Sequence, residues 1–282
     1  MAGSEPRDSS WAARFGAYAL VTGASDGIGR ALAVDLAGRG QNLVLVARRG
    51  PVLDALAADL RGTRGIDVRV LALDLAAPDA IWTLAAATET LDIGLLVTAA
   101  GYGRSGPFLS ADRDGETDML AVNCRAVLEC THVFAGRMAA RGRGGIVLLS
   151  SLVAFQGVPH AATYAASKAW VQAFAEGIAP ELAGRGVSVL AAAPGPVRTG
   201  FGARAGMTMA AADSPDAVAR AILAALGRRR TVRPGRLSKV LGWGLATLPR
   251  PLRSTIMGRI MKGMTAEADG EQTDRDATRE AA

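Results

Sequence analysis

Apolar residues gather in short unbroken runs, and each run is followed by a longer stretch with helical periodicity. The runs lie at 17–22 (AYALVT), 42–47 (NLVLVA), 68–73, 95–98, 146–150 and 187–192. They are continuous rather than alternating, the pattern of strands buried on both faces of a parallel sheet. The stretches between them predict helices over 28–37, 51–60, 80–88, 116–140 and 164–182. Beyond residue 194 the pattern loosens into a loop bearing Gly and Met. Ser214 as N-cap and Pro215 in the first turn then start another helix, and a short seventh strand is expected near 231–233. Strands alternating with helices predict an α/β chain: one doubly wound domain with a mostly seven-stranded parallel sheet. A chain of 282 residues can bury that core as a single domain.

The ends of the strands carry the chemistry. The first strand runs into Thr22-Gly23-Ala24-Ser25-Asp26-Gly27-Ile28-Gly29, where three glycines allow a tight turn, close approach to a pyrophosphate, and packing of the next helix on the strand. The helix N-terminus presents free N–H groups and a positive dipole end to phosphate. The second strand ends at Ala47, followed by Arg48 and Arg49, where NAD binding usually places an acid. A guanidinium can clamp a 2′-phosphate that a carboxylate would repel, so NADP(H) is favoured over NAD(H). Asp74, closing the third strand, is a candidate acceptor for the adenine amino group or a turn residue.

Tyr164 and Lys168 stand at i and i+4 on one helix face, and Ser151 precedes them at a strand end. A free phenol titrates near about 10, so a base near neutrality needs help, and the Lys168 ammonium is the expected source. Ser151 can hold a carbonyl oxygen and stabilise its developing charge. The set suits proton transfer to or from an alcohol or ketone. His160, between Ser151 and Tyr164, is expected to be a solvated loop residue, and His132 structural.

Composition narrows the picture further. Cys124 and Cys130 form no disulfide framework and, with two histidines, no metal set is expected. The start of the chain lacks a clean apolar segment with a cleavage site, and no run of 18 or more apolar residues exists, so the expected location is cytoplasmic. The net charge of +6 is uneven: residues 217–266 hold eleven Arg or Lys and no acid. No nucleic-acid recognition motif accompanies that charge, so nucleic acid is not an expected partner.

The glycine turn, Asp74, Asn123, Ser151, Tyr164, Lys168 and the run Pro194-Gly195-Pro196-Val197-Arg198-Thr199 occur in that order over residues 16–233. Together they resemble the short-chain dehydrogenase/reductase family. The resemblance implies a Rossmann domain, a nicotinamide cofactor, and reversible carbonyl reduction. It implies Tyr164 as general acid/base, Lys168 lowering its pKa and bonding the nicotinamide ribose, Ser151 binding the reacting oxygen, and Asn123 supporting a water-mediated proton relay. Ser25, Asp26, Ile28, Ala100 and Gly101 fall at cofactor positions, and Pro194, Gly195, Val197 and Thr199 would flank the nicotinamide. Thr98-Ala99-Ala100-Gly101 departs from the family's Asn-Asn-Ala-Gly, because Ala99 cannot brace the sheet as the second Asn does. The family also implies a homodimer or homotetramer.

The expected layout is a flexible lead-in over 1–15, the catalytic domain over 16–234, a basic amphipathic extension over 235–266, and a disordered acidic tail over 267–282. The segment 235–264 mixes Leu, Ile, Met and Trp243 with basic residues, and Pro249 and Pro251 divide it. It fits a lid on the substrate pocket, a subunit contact, or an anionic membrane surface. The substrate is expected to be a fairly apolar small molecule (fatty-acyl, steroid-like or aliphatic), given Phe201, Met207 and Met209. A catalytically inactive NADP(H)-sensing or scaffold protein is the rival reading, and the complete Ser-Tyr-Lys-Asn set argues against it.

Overall fold

The computed structural model describes residues 9–280 apart from 209–211, 236–237, 240–241, 243 and 246, with side chains over 11–265 of that set. Seven parallel strands form one sheet in the order β3-β2-β1-β4-β5-β6-β7. They are β1 (Tyr18–Thr22), β2 (Asn42–Ala47), β3 (Val68–Ala72), β4 (Ile93–Thr98), β5 (Gly144–Leu149), β6 (Val187–Ala192) and β7 (Thr231–Val232). The helices that accompany them include α1 (Ser9–Phe15), α2 (Gly27–Gly38), α3 (Gly50–Arg64), α4 (Ala80–Ala87), α5 (Arg113–Leu120), α6 (Ala126–Ala140), α7 (Ala162–Ala183), α8 (Phe201–Ala205), α9 (Pro215–Ala225) and α10 (Arg250–Glu280).

The continuous apolar runs are explained by burial on both sides. In β4, Leu95 and Val97 face one apolar layer with Leu32 and Leu36 of α2 and Ile222 of α9. Leu96 of the same strand faces the other layer, with Leu84 of α4, Phe134 of α6 and Val171 of α7. The period of two along a strand divides each run between the layers. No helix among the described residues is long and apolar enough to cross a membrane.

Three features differ from the sequence reading. Residues 9–15 are not a flexible lead-in: they form α1, and Phe15 is wholly buried in the sheet core. Trp11 and Phe15, one turn apart, have ring centroids 4.7 Å apart, and the Arg39 guanidinium lies over Trp11. That aromatic pair gives the short helix an apolar face. The single helix expected over 116–140 starts earlier, where both carboxylate oxygens of Asp112 cap α5, and it is interrupted by a π turn at Ala121–Arg125. The tail expected to be disordered from 267 continues α10 to Glu280. Its Ala, Glu, Gln and Arg residues have good helix propensity. Trp243 and Met209 lie outside the described residues.

Candidate active site

A cavity of about 760 Å³ opens beyond the C-terminal ends of β1, β2, β4, β5 and β6. Its centre is the crevice where β1 and β4 are neighbours and the strand order reverses, the place where open α/β sheets bind ligands. Every residue expected to touch the cofactor lines this cavity, from Gly23 and Ser25 at one end to Pro194, Gly195, Val197 and Thr199 at the other.

The glycine turn has the required shape. Gly23 and Gly27 have φ of +67° and +55°, in the left-handed region. A side chain at Gly23 would lie 2.7 Å from the Ala100 amide nitrogen, and one at Gly29 would strike the Gly23 carbonyl. Asp26 caps α2, its Oδ1 accepting from the Gly27 amide at 2.7 Å. Its other oxygen pairs with the Arg204 guanidinium of α8 at 3.1 Å, joining the two rims of the cavity.

Arg48 and Arg49 both line the cavity at the end of β2 and are exposed. Arg49 donates to the Ser25 carbonyl and hydroxyl at 3.2 and 3.1 Å, which orients it beside the glycine turn. Asp74 lines the cavity, and its Oδ1 accepts from the Ala76 amide at 3.1 Å, so it is also a turn residue. Thr199 Oγ1 accepts from the Phe201 amide at 3.2 Å and starts α8. The glycine cradle fits the pyrophosphate of a nicotinamide adenine dinucleotide, and the two guanidinium groups stand at its adenosine end.

Bracing that Ala99 cannot supply comes from a neighbouring strand. Thr22 Oγ1 accepts from the Ala100 amide at 3.1 Å and donates to the Val97 carbonyl at 3.4 Å. The methyl of Ala99 packs near the place where a side chain on Gly29 would stand.

The proton-handling residues meet at the centre. Ser151 ends the connection from β5 and caps a 3₁₀ turn, its Oγ accepting from the Val153 amide. Burial pushes the Tyr164 phenol up to about 12, and the neighbouring Ser151 hydroxyl opposes that rise. Lys168 is buried, its Nζ donating to the Leu149 carbonyl at 2.8 Å and lying 6.0 Å from the centre of the Tyr164 ring. Burial holds the ammonium down to about 8. The sequence reading had Lys168 lowering the phenol. Here the ammonium donates to the Leu149 carbonyl, and burial is the largest influence on the phenol's pKa.

Asn123 does not line the cavity. It is fully buried in the π turn, donating to the Tyr102 carbonyl at 2.9 Å and to Ser167 Oγ at 3.1 Å, and accepting from the Tyr102 amide at 3.2 Å. Its side chain ties the loop after β4 to α7, one residue before Lys168. His160 is outside the cavity wall, at a φ of +64°, its carbonyl accepting from the Gly106 amide.

The remaining wall is apolar. Phe201 lies 5.4 Å from Tyr164 between ring centroids, and Met207 is beside it. Sequence reasoning missed Tyr102, Val153 and Arg204 and did not single out Met257, Ile260, Met261 and Met264, all of which line the cavity. The methionine spacing was a legible signal, because positions 257, 261 and 264 share one helix face.

Similarities to known proteins agree with this geometry. The family model described as short chain dehydrogenase matches residues 17–210. A very-long-chain 3-oxoacyl-CoA reductase of Podospora anserina is 39% identical over 179 residues, which are 62% of this chain and 53% of that protein. The match thus spans about half the length of that relative. A 7beta-hydroxysteroid dehydrogenase of Clostridium sardiniense is 35% identical over 177 residues, 63% of this chain and 68% of that protein. A solved structure from work on 7beta-hydroxysteroid dehydrogenase stereoselectivity superposes with a TM-score of 0.81 at 28% identity, covering 87% of this chain and 98% of that one. A short-chain dehydrogenase from Sphingobium yanoikuyae in complex with NADPH gives a TM-score of 0.73 at 33% identity, covering 83% of this chain and 96% of that one. With a seven-stranded parallel sheet, the glycine turn at its switch point and the family match over most of its length, the chain belongs to the short chain dehydrogenase family.

Proposed function

We propose that the protein is an NADP(H)-dependent oxidoreductase that interconverts a ketone and a secondary alcohol on a fairly apolar small molecule. The observation that carries this reading is the Tyr164 phenol with Ser151 beside it and Lys168 one helical turn on, in the same cavity as the glycine turn. The names of the relatives, a 3-oxoacyl-CoA reductase and a hydroxysteroid dehydrogenase, support a carbonyl/alcohol pair on an apolar body.

Gly23 to Gly29 with the N-terminus of α2 would hold the pyrophosphate, Arg48 and Arg49 a 2′-phosphate, and Lys168 the nicotinamide ribose. A bound nicotinamide supplies or accepts the hydride. Tyr164, a phenol held protonated at neutral pH, gives its proton to the carbonyl oxygen. Ser151 Oγ hydrogen-bonds the same oxygen as negative charge grows on it. The charged Lys168 stabilises the phenolate left behind, and Asn123 keeps the Tyr102 loop and α7 in register around that proton path. The apolar wall of Phe201 and Met207 excludes water from the reacting oxygen.

Absorbance of NADPH in the presence of a panel of apolar ketones tests the reaction. Turnover with NADPH, and a kcat/KM about tenfold or more lower with NADH, is the expected result. Binding of NADPH without oxidation across the panel would contradict it.

A further inference from the structure

The described molecule has a third apolar cluster, separate from the two that cover the sheet. It joins Val158 and Ala161 from the connection between Ser151 and Tyr164, Ala205 and Met207 from the α8 region, and Met257 and Met261 from α10. Met257 and Met261 are almost fully buried, and they pack in this cluster and not in the two that cover the sheet. With Met264 they stand at i, i+4 and i+7, one stripe of the helix, and all three line the cavity. Ile260 lines the cavity as well and is 39% exposed, which places it at the mouth. The helix is fixed to the substrate rim: the Met264 carbonyl accepts from the Thr208 amide at 3.1 Å, and Gly258 lies against Pro159 so closely that a side chain there would meet its ring at 2.9 Å.

The acidic side chains that line the cavity, Asp26 and Asp74, both belong to its nucleotide end. The α10 end offers thioethers and hydrocarbon. Methionine is unbranched and polarizable, so a methionine wall repacks around different shapes where a wall of branched residues fits one.

We infer that α10 is the substrate-selecting wall, with Met257, Met261 and Met264 contacting the apolar body of the ketone and Ile260 at its entrance. This rests on the reaction proposed above and specifies its substrate class: bulky or extended apolar ketones, accepted over a range of shapes. Enlarging or trimming the stripe changes which ketone is preferred, and the chemistry at Tyr164 is the same for each.

The test uses the full chain, a small aliphatic ketone and a bulky diaryl ketone, with Met261→Phe and Met261→Ala. Met261→Phe is expected to lower kcat/KM for the diaryl ketone by about tenfold or more through KM, to change the small ketone by less than about twofold, and to leave NADPH affinity as it was. Met261→Ala, which removes the contact instead of filling the space, is expected to raise KM for the diaryl ketone by about fivefold or more and to change the small ketone by less, a split between substrates that damage to folding would not give. Equal losses on both ketones, or none on either in both variants, would overturn the assignment. If the wild-type protein turns over neither ketone, the proposed reaction fails on its own. Calorimetric titration of the diaryl ketone into the NADPH complex then reads the wall alone: weaker binding to Met261→Phe supports it, and equal binding contradicts it.

Discussion

The two ends of the cavity are built by different physics. The nucleotide end hangs from strand termini, and its parts are held by short polar bonds: Thr22 on the Ala100 amide, Asp26 on α2, Arg49 on Ser25. The substrate end is made of side chains on α8 and α10, joined mainly by apolar contact among Met207, Met257 and Met261. A polar, strand-borne end fixes atoms to a few tenths of an ångström, as proton and hydride chemistry needs. An apolar, helix-borne end fixes only a shape. The contrast explains how one proton-transfer site can be common to a family while the molecule it serves varies.

Changes at the nucleotide end should therefore be severe and indifferent to substrate. The largest effect is expected for Gly29→Val, whose side chain would strike the Gly23 carbonyl. NADPH affinity by fluorescence titration should fall by about a hundredfold or more, with a lower melting temperature. A smaller change is expected for Arg48→Ala with Arg49→Ala. NADPH affinity should fall by about tenfold or more while NADH affinity moves less than about twofold, because only the charge-assisted bonds to a 2′-phosphate are lost. Equal losses for both cofactors would remove the two arginines from cofactor choice.

The pH dependence sharpens the contrast further. Reduction needs Tyr164 protonated and Lys168 charged. The phenol stays protonated to about 12, but the ammonium loses its proton near about 8. The kcat/KM for reduction should be level below about 8 and fall above it, whichever ketone is used, while alcohol oxidation, which needs the phenolate, should rise with pH. A Lys168→Met variant that kept the same descending limb would detach the limb from Lys168. The smallest effect is expected for Thr22→Val, which removes the bonds to Val97 and Ala100 and should cost about 1–2 kcal/mol in chemical unfolding.

What could be read from the sequence follows the same divide. Strands, the glycine turn and the Tyr164–Lys168 pair are local patterns, so spacing alone reveals them. Thr22 replacing the brace missing at Ala99 is a contact across 78 positions of chain, and no local pattern announces it. The upward shift of Tyr164 was equally hidden, because it depends on burial among groups from different parts of the chain. Asn123 was found as a residue, but its buried amide, engaged with Tyr102 and Ser167, was not. Phe15 escaped because seven helical residues before a glycine look like a tail until their aromatic face is placed on the core. The methionine face of α10 was within reach, but only the fold shows that it meets the cavity.

The central claim is that Tyr164 supplies the proton to any ketone the cavity admits. Its most direct test is the kcat of Tyr164→Phe with a small and a bulky ketone, with NADPH affinity measured on the same protein. The account predicts a loss of about 10²–10⁴-fold on both ketones with NADPH affinity unchanged. A variant that kept more than about a tenth of the wild-type rate on either ketone would contradict it.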